Sequence, residues 1–88
     1  MWKVQRLADG GSLVLSLSGR IEGEQLVELQ KAFASEAGDQ TAILDLKEVK
    51  LVDQDAVRFL ARCEAAGTTL RNCPPYIREW IIRERAGN

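Results

Sequence analysis

The sequence contains no histidine, and its two cysteines, Cys63 and Cys73, are too far apart to form a CxxC motif. Protein zinc sites are built largely from cysteine and histidine, so this composition argues against one. We expect no metal or other cofactor. In a reducing compartment, the two cysteines are expected to be free and mostly buried thiols.

Sequence signals for membranes and polyanions are missing as well. No run of about 18 apolar residues occurs, so no segment is expected to span a bilayer. Residues 1–10 lack the long apolar run of a signal peptide. The net charge of −1 gives no global electrostatic reason to expect nucleic acid or an anionic membrane as a partner. We therefore predict a cytoplasmic protein that binds neither.

The length of 88 residues predicts a single domain, residues 1–88. The hydrophobic fraction of 45% and the charged fraction of 28% are typical of an ordinary soluble domain. A chain this short buries only about 60–65% of its unfolded surface. We therefore expect a thin core, with little room for a large enclosed substrate pocket.

In the first half of the chain, apolar residues first alternate with polar ones and then recur at helical spacing. Trp2–Leu7 and Ser12–Ser18 show a period of two, which predicts two strands joined by a turn at residues 8–11. Glu24–Ala37 has apolar residues at offsets of three and four, which predicts a helix, and Gly38 is a candidate C-cap.

The stretch Ala42–Val57 organises the second half of the chain. The apolar run in Thr41–Leu46 predicts a central strand that is covered on both faces. A polar loop is predicted next, with Lys47, Glu48 and Lys50; its apolar residues Val49, Leu51 and Val52 are expected to be buried. Asp53 or Asp55 can cap the following helix, because a carboxylate accepts hydrogen bonds from the free N–H groups of the first turn.

The C-terminal third predicts one more strand and one more helix. Thr68–Cys73 reads as a short strand, and Pro75–Arg85 as a helix whose inner stripe contains Ile77, Trp80 and Ile81. The order of elements is β-β-α-β-α-β-α. It predicts an α/β fold with one mixed sheet, mostly parallel in its later strands, and helices that cover it.

The segment Leu44–Val57, LDLKEVKLVDQDAV, resembles the STAS family, the sulfate transporter and anti-sigma factor antagonist domains. The family pattern has leucine-aspartate-leucine, then a valine and an apolar residue at fixed spacing, then aspartate-serine-serine-glycine-leucine. The likeness extends weakly to Leu13–Ile21 and Thr69–Ile81. The resemblance implies a STAS-like fold with the order of elements described above.

In bacterial anti-sigma factor antagonists, the first serine after the aspartate is phosphorylated by a kinase that is also the anti-sigma factor. A phosphate at that helix N-terminus adds a charge of roughly −1.5 to −2 and disrupts the complex. Here Asp53 matches the family aspartate, Gln54 occupies the phosphoacceptor position, and Asp55 occupies the next one. Glutamine has no hydroxyl group, so no phosphorylation site is predicted.

The leading hypothesis is a non-enzymatic interaction module that binds a protein partner through the region from Glu48 to Arg62. The predicted binding residues are Glu48, Lys50, Asp53, Gln54, Asp55, Arg58 and Arg62. One partner class that the resemblance implies is a kinase-type anti-sigma factor. The family domain usually continues with another strand and helix, so self-association through the truncated C-terminal end is a further expectation.

Three alternatives remain open from the sequence. A nucleotide or lipid could bind at the same helix N-terminus, although no GxGxxG or GxxxxGK motif is present. Paired carboxylates could support catalysis, the candidates being Asp45, Asp53 and Asp55. Nucleic acid could bind the arginines at the end of the chain, namely Arg71, Arg78, Arg83 and Arg85, although Glu79 and Glu84 dilute their charge. Trp80 would join a partner or dimer surface if the sheet ended before it.

Overall fold

A computed structural model describes residues 3–10, 12–37 and 42–86. Within these residues, four strands and three helices follow one another as β1 (Lys3–Asp9), β2 (Ser12–Ile21), α1 (Glu24–Ala37), β3 (Ala42–Val52), α2 (Gln54–Ala65), β4 (Thr69–Arg71) and α3 (Pro75–Ala86). The predicted order of elements is confirmed. The predictions made for Trp2, Gly11, Gly38 and Thr41 concern positions outside the described residues.

The described strands form one mixed sheet in the order β1-β2-β3-β4. β1 pairs antiparallel with β2, whereas β2 with β3 and β3 with β4 are parallel pairs. The predicted α/β fold with a mixed sheet is therefore confirmed. Parallel crossovers are right-handed, so two crossovers that step in the same direction place their helices on the same face of the sheet.

The core accordingly lies on one face of the sheet. Alternate side chains of β2 and β3 pack there with residues of all three helices, the strand residues being Leu13, Leu15, Leu17, Ala42, Leu44 and Leu46. On the opposite face Val14, in register with Leu7 and Ile43, is buried but lies outside this core cluster. The other residues there are less buried, since Ser16, Ile43 and Asp45 are half-buried and Leu7 is exposed. The prediction that β3 is covered on both faces is therefore wrong, because both crossover helices lie on the same side.

β3 extends six residues beyond the predicted strand. Two bulges allow its pairing with β2 to continue although the pattern of buried residues changes. Its pairing with β2 skips one residue of β3 between Ser16 and Ser18 and another between Gly19 and Arg20. As a result, the buried positions change from every second residue to every third, at Leu46, Val49 and Val52. The predicted loop residues Lys47, Glu48 and Lys50 belong to this strand, and Leu51, predicted to be buried, is 41% exposed.

α3 packs on α2 and completes the core with Ile77 and Ile81, both fully buried as predicted. Trp80, however, is 43% exposed, so its prediction as a core residue is wrong. Residues 77 and 81 are one helical turn apart and define the buried direction, and residue 80 lies about 100° away from residue 81 around the helix. The indole ring consequently reaches the edge of α2 rather than the sheet.

Candidate functional site

The carboxyl ends of β2 and β3 lie side by side, with Ile21 in register with Val52. Each strand leads through a short turn into a helix, β2 through Gly23 into α1 and β3 through Asp53 into α2. In α/β sheets, the edge formed by the carboxyl ends of parallel strands is the usual position of a binding site. The two turns therefore form the frame of the candidate site.

Asp53 holds this frame together with both of its carboxylate oxygens. Oδ1 accepts a hydrogen bond from the Ala56 N–H at 2.8 Å, which caps α2, and Oδ2 accepts one from the Gly23 N–H at 3.3 Å. The Asp53 N–H in turn donates to the Ile21 carbonyl at 3.3 Å. Of the two predicted capping residues, Asp53 is therefore the N-cap, and it also connects the two turns. Gly23 has φ of +55°, a conformation that favours glycine.

Four of the predicted binding residues share the outward side of α2. We call this surface the α2 face, and its residues, all exposed, are Gln54, Asp55, Arg58 and Arg62. Nε of Arg58 is 3.0 Å from Oε1 of Glu84 on α3, and its Nη1 is 3.8 Å from Oδ1 of Asp55. Among the described residues, Arg62 has no ion-pair partner. Within the described residues, the α2 face therefore presents one unpaired cation beside a partly neutralised one.

A solvent-open groove of about 720 Å³ runs along the α2 face. Small and apolar side chains from α1 and α2 line part of it, namely Leu26, Ala61 and Ala65. Charged and polar residues line the remainder, namely Gln30, Asp55, Arg58, Arg62, Glu84 and Arg85. A shallow groove that combines a few apolar residues with a charged rim resembles the anatomy of a protein–protein interface more than that of an enclosed ligand pocket.

The remaining predicted binding residues lie on β3, away from the centre of the α2 face. Glu48 is in register with Ser18, whose side chain belongs to the sheet face opposite the helices, so Glu48 is not brought to the α2 face. The Lys50 side chain is exposed, and the Lys50 carbonyl accepts a hydrogen bond of 3.0 Å from the Tyr76 hydroxyl. This bond attaches the start of α3 to the end of β3.

Two exposed aromatic residues of α3 were not among the predicted binding residues. Trp80 lines a second open groove of about 430 Å³ with Gln54, Val57, Arg83 and Glu84. Tyr76 lies one helical turn before Trp80 and is 42% exposed. The spacing of four residues places Tyr76 and Trp80 on the same side of a helix. The sequence alone did not show whether that side is buried or exposed.

The three aspartates considered for catalysis have separate surroundings. Oδ1 of Asp45 accepts hydrogen bonds from the Lys47 N–H at 3.0 Å and from Nδ2 of Asn72 at 3.3 Å. Asp45 is in register with Ser16, and Val52 at the end of β3 is in register with Ile21, five residues further along β2. At the usual rise per residue, this separates Asp45 from the end of β3 by roughly 16–17 Å. The predicted strand ended at Leu46, directly after Asp45, whereas β3 continues to Val52. Within the described part of the chain, no group of three or more acidic or cysteine side chains is placed to hold a metal ion.

Both cysteines are free thiols. Burial raises the pKa of Cys63 to about 11, although the charge of nearby Arg62 opposes the shift. Burial also raises the pKa of Cys73. A raised pKa keeps a thiol protonated near neutrality, and the protonated form is a poor nucleophile.

Three of the four arginines considered for nucleic-acid binding, Arg78, Arg83 and Arg85, participate in ion pairs around α3. Glu64 on α2 accepts a hydrogen bond of 2.7 Å from Arg78 and lies 3.5 Å from Nη1 of Arg85. Arg83 pairs with Glu79 on the same helix at 2.8 Å. The hydrogen bond from Arg78 lowers the pKa of Glu64 below its ordinary value of 4.5, and the charges of Arg78 and Arg85 act in the same direction.

This ion-pair cluster predicts a pH dependence of stability. Because the folded-state pKa of Glu64 is lowered, its stabilising contribution is present above pH 4.5 and is lost as the pH falls through the folded-state pKa. Glu64→Gln is expected to lower the free energy of unfolding by about 1 kcal/mol at neutral pH. The difference from wild type should shrink in acid, as measured by urea unfolding at several pH values.

Glu48→Gln is the matched control, because Glu48 is exposed on β3 and forms no ion pair within the described residues. An equal and pH-independent effect of the two substitutions would contradict the role assigned to Glu64.

No protein-family model matches the chain, and no curated protein is significantly similar to it in sequence. The resemblance to STAS domains therefore depends on the motif and on the order of elements. Among the helices formed by residues 3–10, 12–37 and 42–86, none has the length and apolar character needed to cross a membrane.

Proposed function

We propose that the chain is a non-enzymatic protein-interaction module of the anti-sigma factor antagonist kind, which binds a protein partner through the α2 face. The observation that carries this proposal is the position of Gln54. It is the first residue of α2, directly after the capping Asp53, and it is exposed. In the STAS-like motif, this is the position at which the switch serine stands.

The chemistry of this surface supports binding without a phosphate switch. From Ala42 to Ala66 the sequence contains no serine, threonine or tyrosine. The free N–H groups at the start of α2 favour an anion. The carboxylate of Asp53 already occupies this position as the N-cap. We infer that the module binds its partner constitutively, and that any regulation acts elsewhere, for instance on the partner.

The charges on the α2 face indicate the kind of partner segment that would fit. Arg62 is exposed beside the small side chains Ala61 and Ala65 along the groove. Arginine is enriched at protein interfaces because its planar group binds carboxylates through two parallel hydrogen bonds. We infer that the partner places a carboxylate-bearing segment in this groove. A kinase-type anti-sigma factor is the partner class that the resemblance favours, and the two free thiols favour a cytoplasmic location.

Reversal of the charge at Arg62 tests this proposal. Proteins captured from the source organism by the wild-type chain are identified, and the candidate partner is purified and titrated against the variants. Arg62→Glu is expected to weaken binding at least about tenfold, which corresponds to 1.4 kcal/mol. Arg62 is the cleanest choice because, within the described residues, its substitution breaks no ion pair.

Lys31→Glu is the matched control, since Lys31 is an exposed cation on α1 that does not line the groove. Equal binding by both variants and the wild type would contradict the proposal. A nucleotide or lipid that raises the melting temperature, with no protein partner captured, would instead favour the small-ligand alternative.

A further inference from the structure

The solvent-facing side of α3 combines exposed aromatic residues with one charge of each sign. We call this surface the α3 face, and its residues are Tyr76, Glu79, Trp80 and Arg83. They lie at positions i, i+3, i+4 and i+7, which form one stripe of a helix. The two aromatic side chains are 42% and 43% exposed, and Ile82 beside the stripe is 56% exposed. Of the six large hydrophobic side chains that are exposed among the described residues, three are therefore on α3.

Within one copy, Nη2 of Arg83 lies 2.8 Å from Oε1 of Glu79, and both side chains are exposed. The order of these two charges also makes the stripe complementary to itself, so the same pairing can form between two copies. Glu79 and Arg83 are equally distant from Ile81 along the helix, on either side of it. When two copies of α3 pack antiparallel about a two-fold axis level with Ile81, Glu79 of one copy faces Arg83 of the other, and the reverse pair forms as well. A parallel pair would instead place like charges together. The charge pattern therefore favours one arrangement of two copies.

The aromatic residues add to the same arrangement. Viewed down α3, Tyr76 and Trp80 both lie to one side of the line that joins Glu79 and Arg83. A two-fold axis that relates two antiparallel helices places the same side of each helix next to the other. The aromatic flank of one copy then meets that of the other. Tryptophan, tyrosine and arginine are the residue types that most often dominate binding energy at interfaces.

We propose that the chain forms a symmetric homodimer through the α3 face, with two Glu79–Arg83 pairs between the copies and the aromatic flanks packed together. The occupant of this surface is a second copy of the same chain. This inference goes beyond the proposed function, which concerns the α2 face and a different protein. The hydrogen bond from the Tyr76 hydroxyl to the Lys50 carbonyl connects the start of α3 to the end of β3.

Charge reversals, alone and combined, test the dimer. The mass of the wild-type chain, measured by light scattering or sedimentation, is expected to rise with concentration from 9.8 kDa toward twice that value. Glu79→Arg and Arg83→Glu should each weaken self-association by about tenfold or more, because each places like charges together. The double substitution exchanges the two charges and should restore the dimer.

A mixture of the two single variants gives a second and independent measurement. Glu79→Arg supplies only cations to the α3 face and Arg83→Glu supplies only anions, so the two should form a heterodimer although neither forms a homodimer. Trp80→Ala should also weaken the wild-type dimer by about tenfold or more. Circular dichroism of each variant establishes that the exposed substitutions leave the fold intact.

Two outcomes would overturn the proposal. One is a wild-type chain that stays at 9.8 kDa up to the highest soluble concentration. The other is a dimer that the α3 substitutions affect no more than the control Lys31→Glu, which would assign self-association to another surface. Neither result would bear on partner binding by the α2 face, because Arg62→Glu tests that surface separately.

Discussion

Substitution of Leu44 by alanine is expected to lower the free energy of unfolding by about 2–5 kcal/mol. Leu44 lies on β3 between Leu15 of β2 and Leu70 of β4, and its side chain is fully buried. Proteins of this size have a total stability of roughly 4–13 kcal/mol, so the loss is a large fraction of the whole. The measurement is urea unfolding of both proteins, monitored by circular dichroism.

The neighbouring Ile43→Ala provides the matched control for Leu44→Ala. Ile43 is on the same strand, but its side chain points to the opposite face and is only half-buried. We expect this substitution to lower the free energy of unfolding by about 1 kcal/mol. If the two substitutions were equally damaging, the conclusion that the helices cover one face of the sheet would be wrong.

Substitution of Asp53 by alanine is expected to destabilise the protein by about 2 kcal/mol. Loss of an N-cap costs about 0.5–2 kcal/mol, and the carboxylate also leaves the Gly23 N–H without its acceptor. The Gly23 contact is exposed, so water replaces part of that hydrogen bond. Urea unfolding measures the loss, and the amide resonances of Gly23 and Ala56 should both shift in NMR spectra.

Two further variants separate the capping role of Asp53 from its charge. Asp55→Ala removes the next carboxylate in the sequence, whose side chain is 74% exposed, and should change stability by no more than about 0.5 kcal/mol. Asp53→Asn keeps an acceptor oxygen and should fall between wild type and Asp53→Ala. Equal losses for Asp53→Ala and Asp55→Ala would show that the carboxylate does not connect the two turns.

The helices and the N-terminal hairpin were predictable because their periodicities are regular. The bounds of α1 agree with the spacing of Leu26, Leu29 and Phe33, and α2 begins directly after the capping residue that its sequence suggested. The end of β3 was not predictable in this way. Two bulges change the period of its buried residues from two to three, and no single period describes the segment.

The candidate site was predictable only where it is local in sequence. Gln54, Asp55, Arg58 and Arg62 share one side of a helix because of their spacing, and that spacing is visible in the sequence. The contacts of Asp53 with Gly23 and of Lys50 with Tyr76 join residues 30 and 26 positions apart. Such pairs depend on the register of the sheet and on the placement of α3, which local patterns do not specify.

The division of roles between Asp53 and Gln54 has a consequence for how this helix start can vary. Asp53 performs the structural work, since it caps α2 and holds the adjacent turn. The side chain of Gln54 is exposed and, within the described residues, forms no hydrogen bond. The backbone at position 54 is thus held by its neighbour, and its side chain contributes little to the fold. A hydroxyl, an amide or a charge can therefore be exchanged at this position with little effect on folding.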